Sequence, residues 1–177
     1  MKKLITFTII LFFAVNIYAQ NQDNKKIKWY SFEEAIKLQA ENPKKIFIDV
    51  YTDWCGWCKK MDANTFSHPV IAEYMNEHFY AVKFNAEGKE PVEFKGTKFI
   101  NEGIGGRPTH QLAQALLNGQ MSYPSYVFMN KKSELITIVP GYMEAKDFDP
   151  IVHFFAEDKF LSEKWDVFKS KFESKIK

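Results

Sequence analysis

The chain has 177 residues, 46% of them hydrophobic and 26% charged, a balance that fits one folded globular domain and excludes a disordered chain. A formal charge of only +2, with no basic run interleaved with aromatics, excludes a nucleic-acid surface. Aromatic residues are abundant at 16%, with 17 Phe, and predict a bulky core.

In chain order, Lys2 and Lys3 precede an apolar stretch from Leu4 to Val15, and Ala19 offers a small residue for cleavage, although Ile17 stands where a second small residue is usual. This is the pattern of a secretory signal peptide over residues 1–19. An uncleaved membrane anchor is the alternative. The apolar run is short for a span of ~20 residues and carries Thr6, Thr8 and Asn16. Cleavage leaves residues 20–177 near neutral charge.

Residues 20–26 read as a polar leader, and Ile27–Tyr30 as a short strand. Ser31 and Glu34 form a capping box for a helix to about Glu41, stopped by Asn42-Pro43. The β-rich run Ile46–Tyr51 is short enough for a buried central strand. A Cys-Gly-Trp-Cys motif follows, and the residues from Lys59 to Thr65 read as helical. Ser67 with Pro69 restarts a helix through Val70, Ile71, Tyr74 and Met75, and Phe79–Phe84 is the next strand. Strand, motif, helix and strand make a βαβ unit with a right-handed crossover.

Residues 86–106 are charged and Gly-rich and show no clear period. A helix is expected from Thr109 to Leu117, ending at Asn118-Gly119. Ser125–Met129 and Leu135–Val139 flank the turn Asn130–Ser133 as a hairpin, and Gly141 breaks the second strand. Two helices close the chain, one from Glu144 to about Asp158 and one from about Ser162 to Lys175.

The two cysteines, Cys55 and Cys58, are three positions apart. Bridging them closes a tiny loop that contributes little through chain entropy, so chemistry explains the pair better than stability does. A strand ending at Asp53-Trp54 and a helix beginning at the motif place Cys55 at a helix N-terminus, where unpaired N–H groups and the dipole favour a thiolate. Cys58 lies one turn on and can reach back to close the disulfide. A thiol pKa lowered from ~8.5 to ~7 speeds attack only about threefold, because nucleophilicity falls as the thiolate fraction rises. The larger gain is in Cys55 as a leaving group when Cys58 displaces it.

The stretch Asp49-Val50-Tyr51-Thr52-Asp53-Trp54-Cys55-Gly56-Trp57-Cys58-Lys59 resembles the strand-to-helix active-site segment of the thioredoxin superfamily. Within it, the chain looks most like the exported or membrane-attached branch similar to the C-terminal domain of thiol:disulfide interchange proteins. Phe66, Pro69, Asn76, Phe79 and Val82-Lys83 share that likeness, which covers about residues 45–145. It implies an α/β thioredoxin-like fold with a central mixed sheet flanked by helices, an insertion before a cis-proline and a C-terminal helical extension over about 144–176.

The resemblance also implies roles. Cys55 is the attacking thiol and Cys58 the resolving one. Asp49 is the buried carboxylate that assists deprotonation of Cys58, with a pKa raised by burial, and Lys83 is its partner on the adjacent strand. Pro124 takes the place of the cis-proline, which puts the backbone of Tyr123 beside the cysteines to pair with a substrate strand. Trp54 and Trp57 are assigned to substrate binding, with one expected in the core and the other on the rim. Asp49 as a turn carboxylate, Lys83 as an exposed strand residue and Pro124 as a trans proline are the competing structural readings.

The implied activity is thiol–disulfide exchange with protein substrates in the bacterial periplasm, of reductase or isomerase type rather than that of a strong oxidant. No cofactor is expected beyond the redox-active disulfide Cys55–Cys58. A membrane or periplasmic redox partner is expected, no nucleic acid, and a monomer. Trp57 departs from the usual proline of thioredoxins, Tyr123 departs from the usual Thr, Ile or Val, and the connection from Asn85 to Pro124 is longer than in a plain thioredoxin. A non-catalytic binding module on the same fold is the alternative. No metal is expected, since His68, His78, His110 and His153 show no ligand spacing near the motif.

Overall fold

The computed structural model describes residues 26–177. The expected signal peptide over residues 1–19, with its cleavage point at Ala19, lies outside the described residues. Seven strands and six α-helices follow in the order β1 (Trp29–Tyr30), α1 (Phe32–Glu41), β2 (Lys45–Tyr51), α2 (Gly56–Met61), α3 (Pro69–His78), β3 (Phe79–Asn85), β4 (Val92–Phe94), β5 (Thr97–Phe99), α4 (Gln111–Leu116), β6 (Ser125–Met129), β7 (Leu135–Pro140), α5 (Ala145–Ala156) and α6 (Trp165–Lys171).

The main sheet has the order β1-β3-β2-β6-β7. β1, β3 and β2 run parallel, whereas β6 and β7 are antiparallel to their neighbours. This is the expected mixed sheet, and β2 is its buried central strand. Alternation along β2 sends Ile46, Ile48 and Val50 to one face and Phe47 and Asp49 to the other. The first set packs with Phe32 and Ala35 of α1 and Leu112, Ala113 and Leu116 of α4. On the opposite face the Phe47 ring meets Phe66, Tyr126, Phe128 and Phe148 with centroids 5.3–5.9 Å away. Ile71 and Met75 of α3 and Val152 of α5 complete that layer. Helices therefore cover both faces, and the abundant phenylalanines fill the space between.

Local chemistry explains the element ends. The Ser31 hydroxyl accepts from the Glu34 N–H at 3.1 Å and the Glu34 carboxylate from the Ser31 N–H at 2.8 Å, so the capping box holds α1 as predicted. Pro69 begins α3, with His68 rather than Ser67 at the cap.

Three segments depart from expectation. The helix begins at the motif as expected, at Gly56, but past Met61 it widens to a π-turn over Asp62–Phe66, where the Thr65 hydroxyl donates to the Met143 carbonyl at 2.6 Å. The unreadable stretch 86–106 holds the β4–β5 hairpin, whose two-residue turn places Lys95 and Gly96 at φ of 50° and 76°. The last helix is shorter than its amphipathic pattern suggests, spanning Trp165–Lys171 after a 3₁₀ turn at Lys159–Leu161. The chain leaves it because Ser174 must donate to Asp149 at 2.6 Å and Ile176 must enter the core.

Candidate active site

Cys55 and Cys58 are joined in a disulfide with Cα atoms 5.3 Å apart. The bridge sits where β2 hands over to α2. Cys55 caps that helix, and its sulfur accepts from the Cys58 N–H at 3.0 Å. A thiolate formed on reduction would occupy the same position, in front of the helix's unpaired donors. The two cysteines are only 4% and 2% exposed, whereas Trp54 and Trp57 beside them are 49% and 56% exposed. Both tryptophans are therefore on the rim, and the expectation of one in the core is corrected. Each indole is flanked by a single aromatic ring, Tyr123 at Trp54 and Tyr142 at Trp57, and stands outside both core layers.

Asp49 and Lys83 face each other as registered partners of β2 and β3. Asp49 is 1% exposed, and Lys83 Nζ lies 2.7 Å from its Oδ2. That contact is a close ion pair on Oδ2, while Oδ1 has no hydrogen-bond partner among the described residues. Burial pushes the Asp49 carboxyl up to about 6, opposed by the Lys83 charge. Burial alone would lower Lys83, but Asp49 and Asp62 outweigh it and hold the ammonium above its usual range. Lys83 is thus not an exposed strand residue. It is enclosed by two carboxylates and the rings of Trp29, Tyr51 and Phe66 at 5.0–5.6 Å.

Asp62 was not foreseen. It contacts Lys83 directly, and its backbone N–H donates to the Cys58 carbonyl, which ties the charged cluster to the turn of the second cysteine. The signal was present in the sequence, since Asp62 stands four positions after Cys58 on one helix.

The Tyr123–Pro124 peptide bond is cis. The Tyr123 ring packs edge-on against Trp54 at 5.9 Å, which brings the proline loop to the cysteine motif. Among the described residues the backbone N–H and C=O of Tyr123 have no protein partner, whereas the Pro124 carbonyl accepts from Gly141. The 86–120 connection also reaches the site. Glu87 accepts from the Trp54 indole N–H at 2.9 Å, and the Arg107 guanidinium lies 4.3 Å from the Trp54 ring centre. On the other side, Trp57 packs on Tyr142 at 5.3 Å. Sequence reasoning assigned no role to Glu87, Arg107 or Tyr142, because nothing local marks a residue that arrives from a distant loop.

A family model described as a thioredoxin-like domain matches residues 32–156. The chain is 31% identical over 94 residues to an uncharacterized protein of Caenorhabditis elegans, a match covering 51% of this chain but only 13% of that protein's length. Among solved structures it is similar to a proposed disulphide-isomerase of Bacteroides thetaiotaomicron, with a TM-score of 0.54, 26% identity and coverage of 78% of this chain and 97% of that one. It is also similar in fold to a thioredoxin-fold protein of Helicobacter pylori, with a TM-score of 0.53, 21% identity and coverage of 84% and 83%.

Proposed function

The chain belongs to the thioredoxin-like domain family, and on that premise we propose that it is an exported thiol–disulfide oxidoreductase acting on protein substrates. One observation carries the reading: a disulfide at a strand-to-helix junction whose central strand buries a carboxylate, Asp49, paired with Lys83. A purely structural bridge three residues long has no need of such a cluster.

In the reductive direction the Cys55 thiolate attacks a substrate disulfide, forming a mixed disulfide and expelling one substrate sulfur as thiolate. Cys58 gives its proton to the Asp49 carboxylate and attacks the Cys55 sulfur. The substrate's second sulfur leaves, and the Cys55–Cys58 bond closes. Two electrons pass to the substrate, so a dithiol partner must restore the reduced pair; in the reverse direction an oxidant must. A base with a pKa near 6 suits proton exchange with a thiol at neutral pH. The free backbone of Tyr123 supports pairing with an extended substrate segment.

The likeness to a proposed disulphide-isomerase favours a reductase or isomerase over a strong oxidant. Export rests on the basic and apolar residues 1–19. Among the described residues no helix is long and apolar enough to cross a membrane.

The test is the reduction potential of the Cys55–Cys58 pair, equilibrated against glutathione or dithiothreitol. A value near about −270 mV identifies a reductase and one near about −120 mV an oxidant. With Cys58→Ser, a mixed disulfide to Cys55 should accumulate on incubation with a disulfide-bearing protein. A pair that does not cycle reversibly would leave a binding module as the better account.

A further inference from the structure

Arg107 is the sole arginine among the 24 lysines and arginines of this chain, and it stands beside the disulfide. It comes from the 86–120 connection, directly after the Gly103–Gly106 run, where Gly103 and Gly105 hold φ of 71° and 96°. Its guanidinium carbon lies 4.3 Å from the centre of the Trp54 ring, nearer than any other cation to a ring among the described residues. Trp54 is itself fixed, by its N–H to Glu87 at 2.9 Å and by Tyr123 packed on its edge. The arginine therefore rests on a rigid aromatic plate adjoining Cys55 on one side and the cis-proline loop on the other.

Stacking uses the face of a guanidinium and leaves its edge of N–H donors free. Among the described residues, Arg107 has no carboxylate within 4.0 Å and its side chain makes no hydrogen bond, so that edge is unengaged. The second tryptophan carries a cation as well: Lys60 lies 5.0 Å from Trp57 and 5.4 Å from Tyr142, and among the described residues it too has no ion-pair partner. The carboxylates near the site are committed elsewhere. Asp53 accepts from Asn85, Glu87 from Trp54, and Glu144 from Tyr142. The rim around the disulfide thus presents exposed indoles and unpaired cations.

We propose that Arg107 is a specificity-determining residue that takes a carboxylate of the client protein, an Asp or Glu flanking the client's reactive cysteine, in a bidentate contact. The inference rests on the oxidoreductase reading and adds the substrate class to it: disulfides set in locally acidic sequence. A planar fork suits this contact, and a lysine at the same place would supply charge without the paired geometry.

Two peptides with the same mixed disulfide, differing only in Glu or Gln beside the cysteine, test it by steady-state exchange at low salt. The Glu peptide should exchange about tenfold faster in kcat/KM, through a lower KM, as expected for one charge-assisted contact. That preference should shrink to about twofold in 0.5 M salt. Arg107→Gln should raise the KM of the Glu peptide to that of the Gln peptide, and Arg107→Lys should restore only part of the preference. Equal rates for the two peptides with the wild-type protein would overturn the proposal. So would a preference that survives Arg107→Gln. If Arg107 merely braces Trp54, the variant slows both peptides alike with the ratio kept, and the proposal falls. Absence of exchange with dithiothreitol itself would instead sink the oxidoreductase reading and this inference with it.

Discussion

Replacing Asp49 by Asn keeps the shape of the buried side chain and removes its charge. Burial holds this carboxyl near 6 rather than 3.8, even against the pull of Lys83. The folded protein therefore keeps a proton on Asp49 between about pH 4 and 6 that the unfolded chain has released. Stability is greatest below that window and falls as pH rises through about 6. At about 1.4 kcal/mol for each tenfold difference, ionised Asp49 costs the fold roughly 3 kcal/mol by pH 8. The Asn variant does not ionise, and Lys83 retains Asp62 as a partner. Its stability should equal that of wild type near pH 3.5 and exceed it by up to about 3 kcal/mol at pH 8, or about 6–12 °C in melting temperature for a domain of this size. Urea and thermal unfolding of the oxidised protein at pH 3.5, 6 and 8 would show the gap opening. A gap independent of pH, or a variant weaker than wild type at pH 8, would refute the electrostatic account. The same variant should resolve mixed disulfides more slowly and lose any inflection near pH 6, since the proton acceptor for Cys58 is gone.

Three further expectations follow from the same forces. Lys83→Met removes the charge that holds Asp49 down, so the inflection in the pH–rate profile of resolution should move to higher pH; an unmoved inflection would show that the pair is not coupled to exchange. Phe47→Ala empties the centre of the aromatic layer and should cost about 3–5 kcal/mol in urea unfolding, with a loss under about 1 kcal/mol contradicting its place there. Burial draws His153 down, but Asp149 and Glu157 outweigh it and hold the imidazole above 6.5. That contribution is full at acid pH and is lost as pH rises through the raised value. The protection of the Ile176 amide against exchange, after correction for the intrinsic rate at each pH, should fall above neutral pH in wild type, where Ser174 ties the tail to Asp149, but stay constant in His153→Gln.

What was legible in the sequence followed from short-range rules. The capping box at Ser31 and Glu34, the β-rich run at 46–51 and the Cys-x-x-C at its end each depend on neighbours a few residues away. The pairing of Asp49 with Lys83 was reached through the family pattern, because no local signal states which strands adjoin. The β4–β5 hairpin was missed, although Val92, Phe94 and the Lys95-Gly96 turn carry its alternation and its positive φ, since each strand is only three residues long. The last helix was overextended because its amphipathic spacing continues past Lys171. Spacing alone cannot reveal that Ser174 and Ile176 are drawn away by partners on α5 and in the core. One of Trp54 and Trp57 was misplaced in the core for a related reason: large aromatics are usually buried, and only the finished surface shows that each stays about half exposed.

The two halves of the site are built from different kinds of constraint. The cysteines, Asp49, Lys83 and Asp62 are fixed by the central sheet and the helix that leaves it, where registers and helical turns allow little variation. The residues that pack on the exposed tryptophans beside the disulfide come from connections instead: Tyr123 from the proline loop, Glu87 and Arg107 from the long insertion, Tyr142 from the turn after β7. The exposed parts of such segments can change more freely than the core, although α4 of the insertion is itself packed on β2. A protein made this way can keep one exchange reaction while its choice of client shifts with the loops. On the proposed reading the insertion before the proline carries selectivity rather than covering the disulfide, because the contacts it makes with the cysteine motif fall on Trp54 and leave the sulfur atoms to the cysteine helix.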